Sequence, residues 1–256
     1  MQLLRYSTES LCHWGELRDG TIHELVDING VRTGVTRDLA DVKLLAPCDP
    51  KTIVCVGRNY VDHIREFDDT AEDLPTEPGL FLKSVQALAH PGDPIPFPNW
   101  TKNLHYEGEL AVVIGRTMKN VSPADAADHV LGYTAACDVT ARDKQRSDMQ
   151  WTRAKSADGF CPVGPWLETE LDPSALALQT RVNGELKQDG NTRDMIFDVP
   201  TILSYISTFL TLVPGDLVLT GTPEGVGPLQ PGDRVEVSIE GVGTLVNLVA
   251  AKAELA

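Results

Sequence analysis

From Lys51 onward, glycine and proline interrupt the chain at such short intervals that few long helices fit, and the runs between them suit strands. "TIVCVG" is a compact β-branched strand, and the tail "LVLTGTPEGVGPLQPGDRVEVSIEGVGTLVNLV" reads as hairpin after hairpin. Prolines in "TEPGLFLKS" and "HPGDPIPFP" remove ladder donors, which suits edge strands and loops. "NYVDHIREF" reads as a short helix or helical loop. In "VSPADAADHVLGY", Ser122 and Pro123 open a helix that Gly132 is expected to end. "DVPTILSYISTFLTLVPGD" sets Ile202, Tyr205, Ile206, Phe209 and Leu210 at helical spacing, the pattern of one amphipathic core face. With no internal repeat or heptad, the whole is a strand-dominated α+β fold.

Residues 1–47 differ in texture. The runs "LLRYS", "HWGELRDG" and "TIHELVD" are strand-like, "DLADVKLL" suits a short helix, and the prolines of "APCDPKT" then break the pattern. The expectation is a small N-terminal α/β domain over 1–47 and a larger domain over 48–256. "MQLLRYSTES" lacks the charged start and apolar core of a secretory leader, and "TILSYISTFLTLV" is too short and too hydroxylated to span a membrane. Cys12, Cys48, Cys55, Cys137 and Cys161 form no C-x-x-C pair and read as buried thiols in a reducing cytosol, so a cytoplasmic location is expected. A net charge of −15 repels nucleic acid and anionic lipid, and neither is an expected partner. An anionic substrate would need a local cationic pocket supplied by a metal, lysine or arginine.

The segment "NLHYEGELAVVIG" carries the first chemical signal. In a strand, His105, Glu107, Glu109, Ala111 and Val113 share one face while Leu110, Val112 and Ile114 share the other, and both faces turn apolar. Parallel carboxylates at the mouth of such a strand repel each other and lose hydration unless something positive sits between them. A bound cation is one answer; a pair of rim glutamates in water, with Gly108 a bulge or close-approach point, is the other. Asp138 in "ACDVTARDKQ" ends another apolar strand and is a third candidate acid. Carboxylates without a cysteine make a hard-oxygen set that favours Mg²⁺ or Mn²⁺ over zinc or iron. His105 is either a softer fourth ligand or an outer, surface histidine.

Other candidates are more ambiguous one by one. His63 and Glu66 fall on one side of a helical turn, either as a general base with its orienting carboxylate or as a solvated ion pair. Lys155 in "WTRAKSADGF" is either a solvated loop lysine or a fixed positive charge for a substrate oxygen. Arg142 and Gln145 share a helical face after Asp138, as donors to the same anion or as an exposed helix surface. "LTGTPEGVGP" lacks the G-K-[ST] of a phosphate loop; Thr220 and Thr222 either grip a carboxylate with neighbouring amides or belong to an ordinary hairpin loop.

Taken in order, "VGRNYVDHIRE", "HYEGELAVVIG", "CDVTARDKQ", "WTRAKSADGFCPVGP", "VNGE", "MIFDVPTILSYIS" and "LTGTPEGVGP" resemble the fumarylacetoacetate hydrolase superfamily over roughly residues 51–249, closest to its acylpyruvate hydrolase and oxaloacetate decarboxylase branch. The resemblance implies a mixed β-roll catalytic domain, often dimeric, with one Mg²⁺ or Mn²⁺ on Glu107, Glu109 and Asp138. It implies a lid-borne base dyad at His63 and Glu66, a catalytic lysine at Lys155, and substrate contacts from Arg142, Gln145 and Thr222. The expected substrate is a small anionic keto acid, with acylpyruvate hydrolysis or oxaloacetate decarboxylation as the reaction. Two alternatives stay open: an isomerase or decarboxylase of 2-hydroxyhepta-2,4-diene-1,7-dioate type in aromatic degradation, and a non-catalytic dimeric metal-binding module. The acidic stretch "EFDDTAEDLPTEPG" after the dyad is expected to lengthen the lid and to repel large polyanions.

Overall fold

The computed structural model of the protein describes residues 1–8, 11–28, 30–67 and 74–251. Residues 68–73 of the acidic stretch after the dyad lie outside the described residues. The N-terminal segment forms β1 (Gln2–Thr8), β2 (Leu11–Arg18), β3 (Thr21–Leu25), β4 (Arg32–Asp38) and β5 (Lys43–Leu45). The helix expected within "DLADVKLL" is only a 3-10 turn at Leu39–Asp41, because β5 claims the residues beyond it to pair with β1.

After β5 come β6 (Ile53–Gly57), α1 (Val61–Phe67), β7 (Gly79–Lys83), β8 (Leu88–Ala89), β9 (Leu104–Tyr106), β10 (Gly108–Ile114), β11 (Val130–Cys137) and β12 (Thr140–Ala141). The chain continues through α2 (Arg142–Ser147), α3 (Thr152–Lys155), β13 (Cys161–Glu168), β14 (Ala177–Val182), β15 (Glu185–Asn191) and α4 (Val199–Phe209). It closes with β16 (Leu217–Leu219), β17 (Gly227–Pro228), β18 (Arg234–Ile239) and β19 (Gly243–Leu248).

The architecture is strand-dominated α+β, built on a large mixed sheet. Twelve strands follow the path β4-β3-β2-β1-β13-β11-β10-β16-β6-β7, with β5 beside β1 and β8 beside β13. Pairing of Gln2 with Glu168 and Leu3 with Leu167 makes the N-terminal strands a continuation of this sheet. A second sheet runs β15-β14-β18-β19, and a small third one runs β12-β9-β17. The second sheet covers the central strands of the first, so β10 is buried from end to end, as its two apolar faces require.

Several local expectations change. The Ser122 segment is a 3-10 helix, Pro123–His129, in which Ser122 bonds Asp125 at 2.6 Å. It stops before Gly132 because the β-branched Val130 already begins β11, whose ladder outweighs another helical turn. In α4 the buried residues are Val199, Ile202, Leu203, Ile206 and Ser207, while Phe209 is 60% exposed and Leu210 lies beyond the helix. The core stripe is thus rotated toward Leu203, on the side where Ser207 receives the Val121 amide at 2.9 Å and Ser204 donates to the Val121 carbonyl at 2.8 Å. The tail holds one true hairpin, β18 with β19; β16 instead inserts between β10 and β6. Four of the five cysteines are buried free thiols and Cys12 is exposed. Among the described residues no helix is long and apolar enough to cross a membrane.

Candidate active site

Glu107 lies at the break between β9 and β10, and its carbonyl accepts the amide of Asp138, at the exit of β11, at 2.8 Å. This tie brings the mouth of one strand to the end of its neighbour. Glu107, Glu109 and Asp138 are all buried, and one carboxylate oxygen from each lies within 4.8 Å of the others. Gly108 allows the approach: a Cβ there would stand 2.1 Å from Thr180 Oγ1 on β14 and 3.2 Å from Val237 on β18. The close-approach reading of Gly108 is therefore the one realised. The second sheet presses on the strand at this point and seals the acids from that side.

Three buried cations face the acids. Lys155 Nζ bonds Glu107 Oε2 at 2.7 Å and Asp138 Oδ2 at 2.5 Å. Arg142 donates through Nη2 to Glu107 and through Nη1 to Gln145 Oε1, the latter at 2.5 Å. Lys83, at the end of β7, donates to Asp138 Oδ1 and reaches the Val139 carbonyl at 3.4 Å; its side chain is 0% exposed. Sequence reasoning missed Lys83. A lysine in a proline-flanked edge strand is the ordinary device against aggregation, and nothing in "GLFLKS" marks it as turned inward.

The acids are not electrostatically equal. Burial would raise Glu107, but the Lys155 and Arg142 charges outweigh it and hold the carboxyl well below the usual carboxylate range. Glu109 is pushed well above that range by burial and then by Asp138 and Glu107, which the Gly221 amide at 2.7 Å and the charge of Lys155 offset only in part. Burial would lower Lys155, yet Asp138 and Glu107 raise it, so it stays cationic. Glu109 is thus the acid that most lacks a positive partner. A set of buried carboxylate oxygens, without thiol or imidazole and with one member short of charge compensation, fits a hard divalent cation.

The loop after β16 supplies the neighbouring backbone. Gly221 has φ +99, and a Cβ on it would stand 2.8 Å from Asn59 Cβ, so only glycine brings this amide to Glu109. Asn59 is fully buried and knots the segments around it: Nδ2 donates to the Thr220 carbonyl at 2.7 Å and the Phe197 carbonyl at 3.0 Å, and Oδ1 accepts the Phe197 amide at 2.9 Å. Just beyond it, α1 presents His63 and Glu66. His63 Nδ1 lies 3.2 Å from Glu66 Oε2, and Glu66 Oε1 accepts the Gly225 amide at 3.1 Å. His63 is near enough to act on the charge of Glu107.

Thr222 is placed at the cluster but buried, donating to the Gly108 carbonyl at 2.9 Å and accepting from Gln188 at 2.8 Å. His105 stands outside the acid set. It pairs with Asn103 at 3.0 Å, and burial, with Arg142 second, lowers its pKa to about 4, so it is a neutral neighbour. The structure therefore gathers Glu107, Glu109, Asp138, Lys155, Arg142 and Gln145 in one place, with the His63–Glu66 pair docked on the loop beside them.

Residues 52–250 match the family described as fumarylacetoacetate (FAA) hydrolase C-terminal, and residues 1–47 match the one described as Rv2993c-like, N-terminal. The chain belongs to the fumarylacetoacetate hydrolase family. It is 52% identical to Protein Rv2993c of Mycobacterium tuberculosis over 223 residues, 86% of this chain and 83% of that protein. It is 49% identical to the mitochondrial oxaloacetate tautomerase FAHD1 of Bos taurus over 198 residues, 75% of this chain and 88% of that one. The crystal structure of 2-hydroxyhepta-2,4-diene-1,7-dioate isomerase from Mycobacterium marinum superposes with a TM-score of 0.92 at 45% identity, covering 99% of this chain and 100% of that chain. Relatives named as tautomerase and isomerase make this a family of enzymes that act by more than one reaction type.

Proposed function

We propose that the protein is a divalent-cation-dependent enzyme that moves a proton at the carbon beside the keto group of a small 2-oxo acid, interconverting its keto and enol forms. The observation that carries this reading is the His63–Glu66 pair, oriented by the Gly225 amide and set next to a buried, cation-compensated carboxylate cluster. Glu107, Glu109 and Asp138 would hold Mg²⁺ or Mn²⁺, which supplies Lewis acidity toward the keto and carboxylate oxygens. Glu66 fixes the ring of His63 through Nδ1, as a carboxylate orients a general base. Lys155 and Arg142 bring buried positive charge to the place where negative charge develops when the proton leaves. Oxaloacetate is the model substrate, in line with the tautomerase relative.

A second reading takes the same proton transfer to a 2-hydroxy-2,4-dienedioate, or carries it on to carbon–carbon cleavage of an acylpyruvate. What supports the dienedioate is the isomerase from Mycobacterium marinum, whose likeness runs through the N-terminal strands as well as the site, whereas the tautomerase likeness covers 75% of this chain. The test is absorbance-monitored turnover of oxaloacetate, acetylpyruvate and a 2-hydroxy-2,4-dienedioate with Mg²⁺ and with excess EDTA, backed by product analysis. Metal-dependent enol–keto exchange of oxaloacetate supports the first reading. Preference for either of the others selects the second, and no turnover by a protein that binds Mg²⁺ leaves a binding module.

A further inference from the structure

Three carboxylates and three cations share this buried space, and with all ionised their charges cancel: Glu107, Glu109 and Asp138 against Lys83, Lys155 and Arg142. The cations are shared between two of the acids. Lys83 and Lys155 both hold Asp138, one on each oxygen, while Lys155 and Arg142 divide Glu107 in the same way. His63 and Glu66 lie outside this sealed set, with side chains 11% and 28% exposed. With a divalent cation held by the fully ionised acids, two positive charges are left uncompensated in low dielectric, which is costly. A chelating ligand that carries two negative charges removes them.

We propose that Lys83 sets this balance, so that the divalent cation and a dianionic chelating ligand bind as a cooperative pair, each weak without the other. Lys83 is the member of the cationic trio that nothing else assigns. It ends β7 and donates to Asp138 Oδ1 while Lys155 takes Oδ2. Its contribution is a fixed positive charge that lowers the appetite of the cluster for a bare cation and raises it for an anion. It is a positioning and charge-setting residue, and the ligand class it selects is a 2-oxo acid whose carboxylate is joined by a second negative group. The inference rests on the cation reading proposed above.

Linkage makes this measurable without turnover, because the factor by which the anion strengthens the cation equals the factor by which the cation strengthens the anion. Mg²⁺ binding is titrated calorimetrically into the whole protein, with and without saturating oxalate, at matched free Mg²⁺. Wild-type protein should bind Mg²⁺ at least tenfold more tightly with oxalate, and less so with the monoanion pyruvate. Lys83→Met should cut that ratio at least threefold, and Lys83→Arg should keep it. The ratio is the readout because a loosened Asp138 would weaken Mg²⁺ equally with and without oxalate. A wild-type ratio near one, or an unchanged ratio in a folded Lys83→Met, overturns the proposal. Should Lys83→Met fail to fold, equal ratios for oxalate and pyruvate in the wild type overturn it and unequal ratios sustain it. Absence of Mg²⁺ binding under every condition would instead defeat the cation reading itself.

Discussion

Glu66 divides its carboxylate between His63, whose Nδ1 lies 3.2 Å from Oε2, and the backbone of Gly225, which donates to Oε1 at 3.1 Å. The pair is thus docked on the loop that also sends Gly221 to Glu109. His63→Ala should lower turnover by roughly 10²–10⁴, the usual range for a general base, while Mg²⁺ binding measured by calorimetry stays within twofold. Glu66→Gln should fall between the two, since an amide keeps the Gly225 contact but removes the charge facing the ring. A His63→Ala protein with undiminished turnover would remove the base from the mechanism.

Glu109→Gln separates cation binding from folding. The carboxyl of Glu109 is already pushed toward its neutral form by burial and by the two acids beside it, so the uncharged amide should leave the metal-free melting temperature unchanged or raised. The rise in melting temperature that added Mg²⁺ gives the wild type should vanish, because a ligand stabilises only the state that binds it. A variant that still gains stability from Mg²⁺ would show that the cation sits elsewhere.

Asn59→Ala removes three hydrogen bonds that join the entry of α1 to Phe197 and Thr220. Leaving those backbone groups without their partner should cost about 2–4 kcal/mol in urea denaturation, with an unchanged m-value. Gly221 depends on the same contact, so Mg²⁺ affinity should fall as well. Loss of stability with full metal affinity would mean that the loop holds its shape alone.

His90 ties the segment after β5 to the rest of the chain: its Nδ1 accepts the Ala46 amide at 3.0 Å, and its own carbonyl receives Asn247 at 2.9 Å. Burial lowers its pKa below the ordinary histidine value, with Asp93 opposing and Lys43 adding to the effect. The unfolded chain then takes up a proton near pH 6.5 that the folded chain still refuses. Stability from this group is full above about pH 6.5 and is lost as the pH falls from there toward the folded value. Chemical denaturation between pH 7.5 and 5, in wild type and His90→Gln, should show a shallower loss in the variant; parallel curves would refute the assignment.

Much of this was legible in the chain because strand alternation and metal chemistry leave local marks. "HYEGELAVVIG" put two acids on one face of a doubly buried strand, and "TAACD" put a third at the exit of another; the folded protein brings these together. Lys83 left no such mark, since its burial is decided by the partner strand β6 and by Asp138, fifty-five residues away. The same limit hid the true neighbours of β16, whose pairing with β10 and β6 spans most of the chain, and the rotation of α4 toward Leu203. The hydroxyl of Thr222 marks it in the sequence, but Gln188, on β15, shares that hydroxyl with the Gly108 carbonyl.

The parallel register of β16 on β6, Leu217 against Ile53, also sets a clock. During synthesis the acids and the lysines that neutralise them emerge long before the strand that delivers Gly221 and Gly225. A nascent chain stopped short of residue 217 therefore has its charge cluster but neither amide that fixes Glu109 and Glu66. Pairing over so long a separation is slow, and the segment whose amides fix Glu109 and Glu66 leaves the ribosome well after the charge cluster it completes.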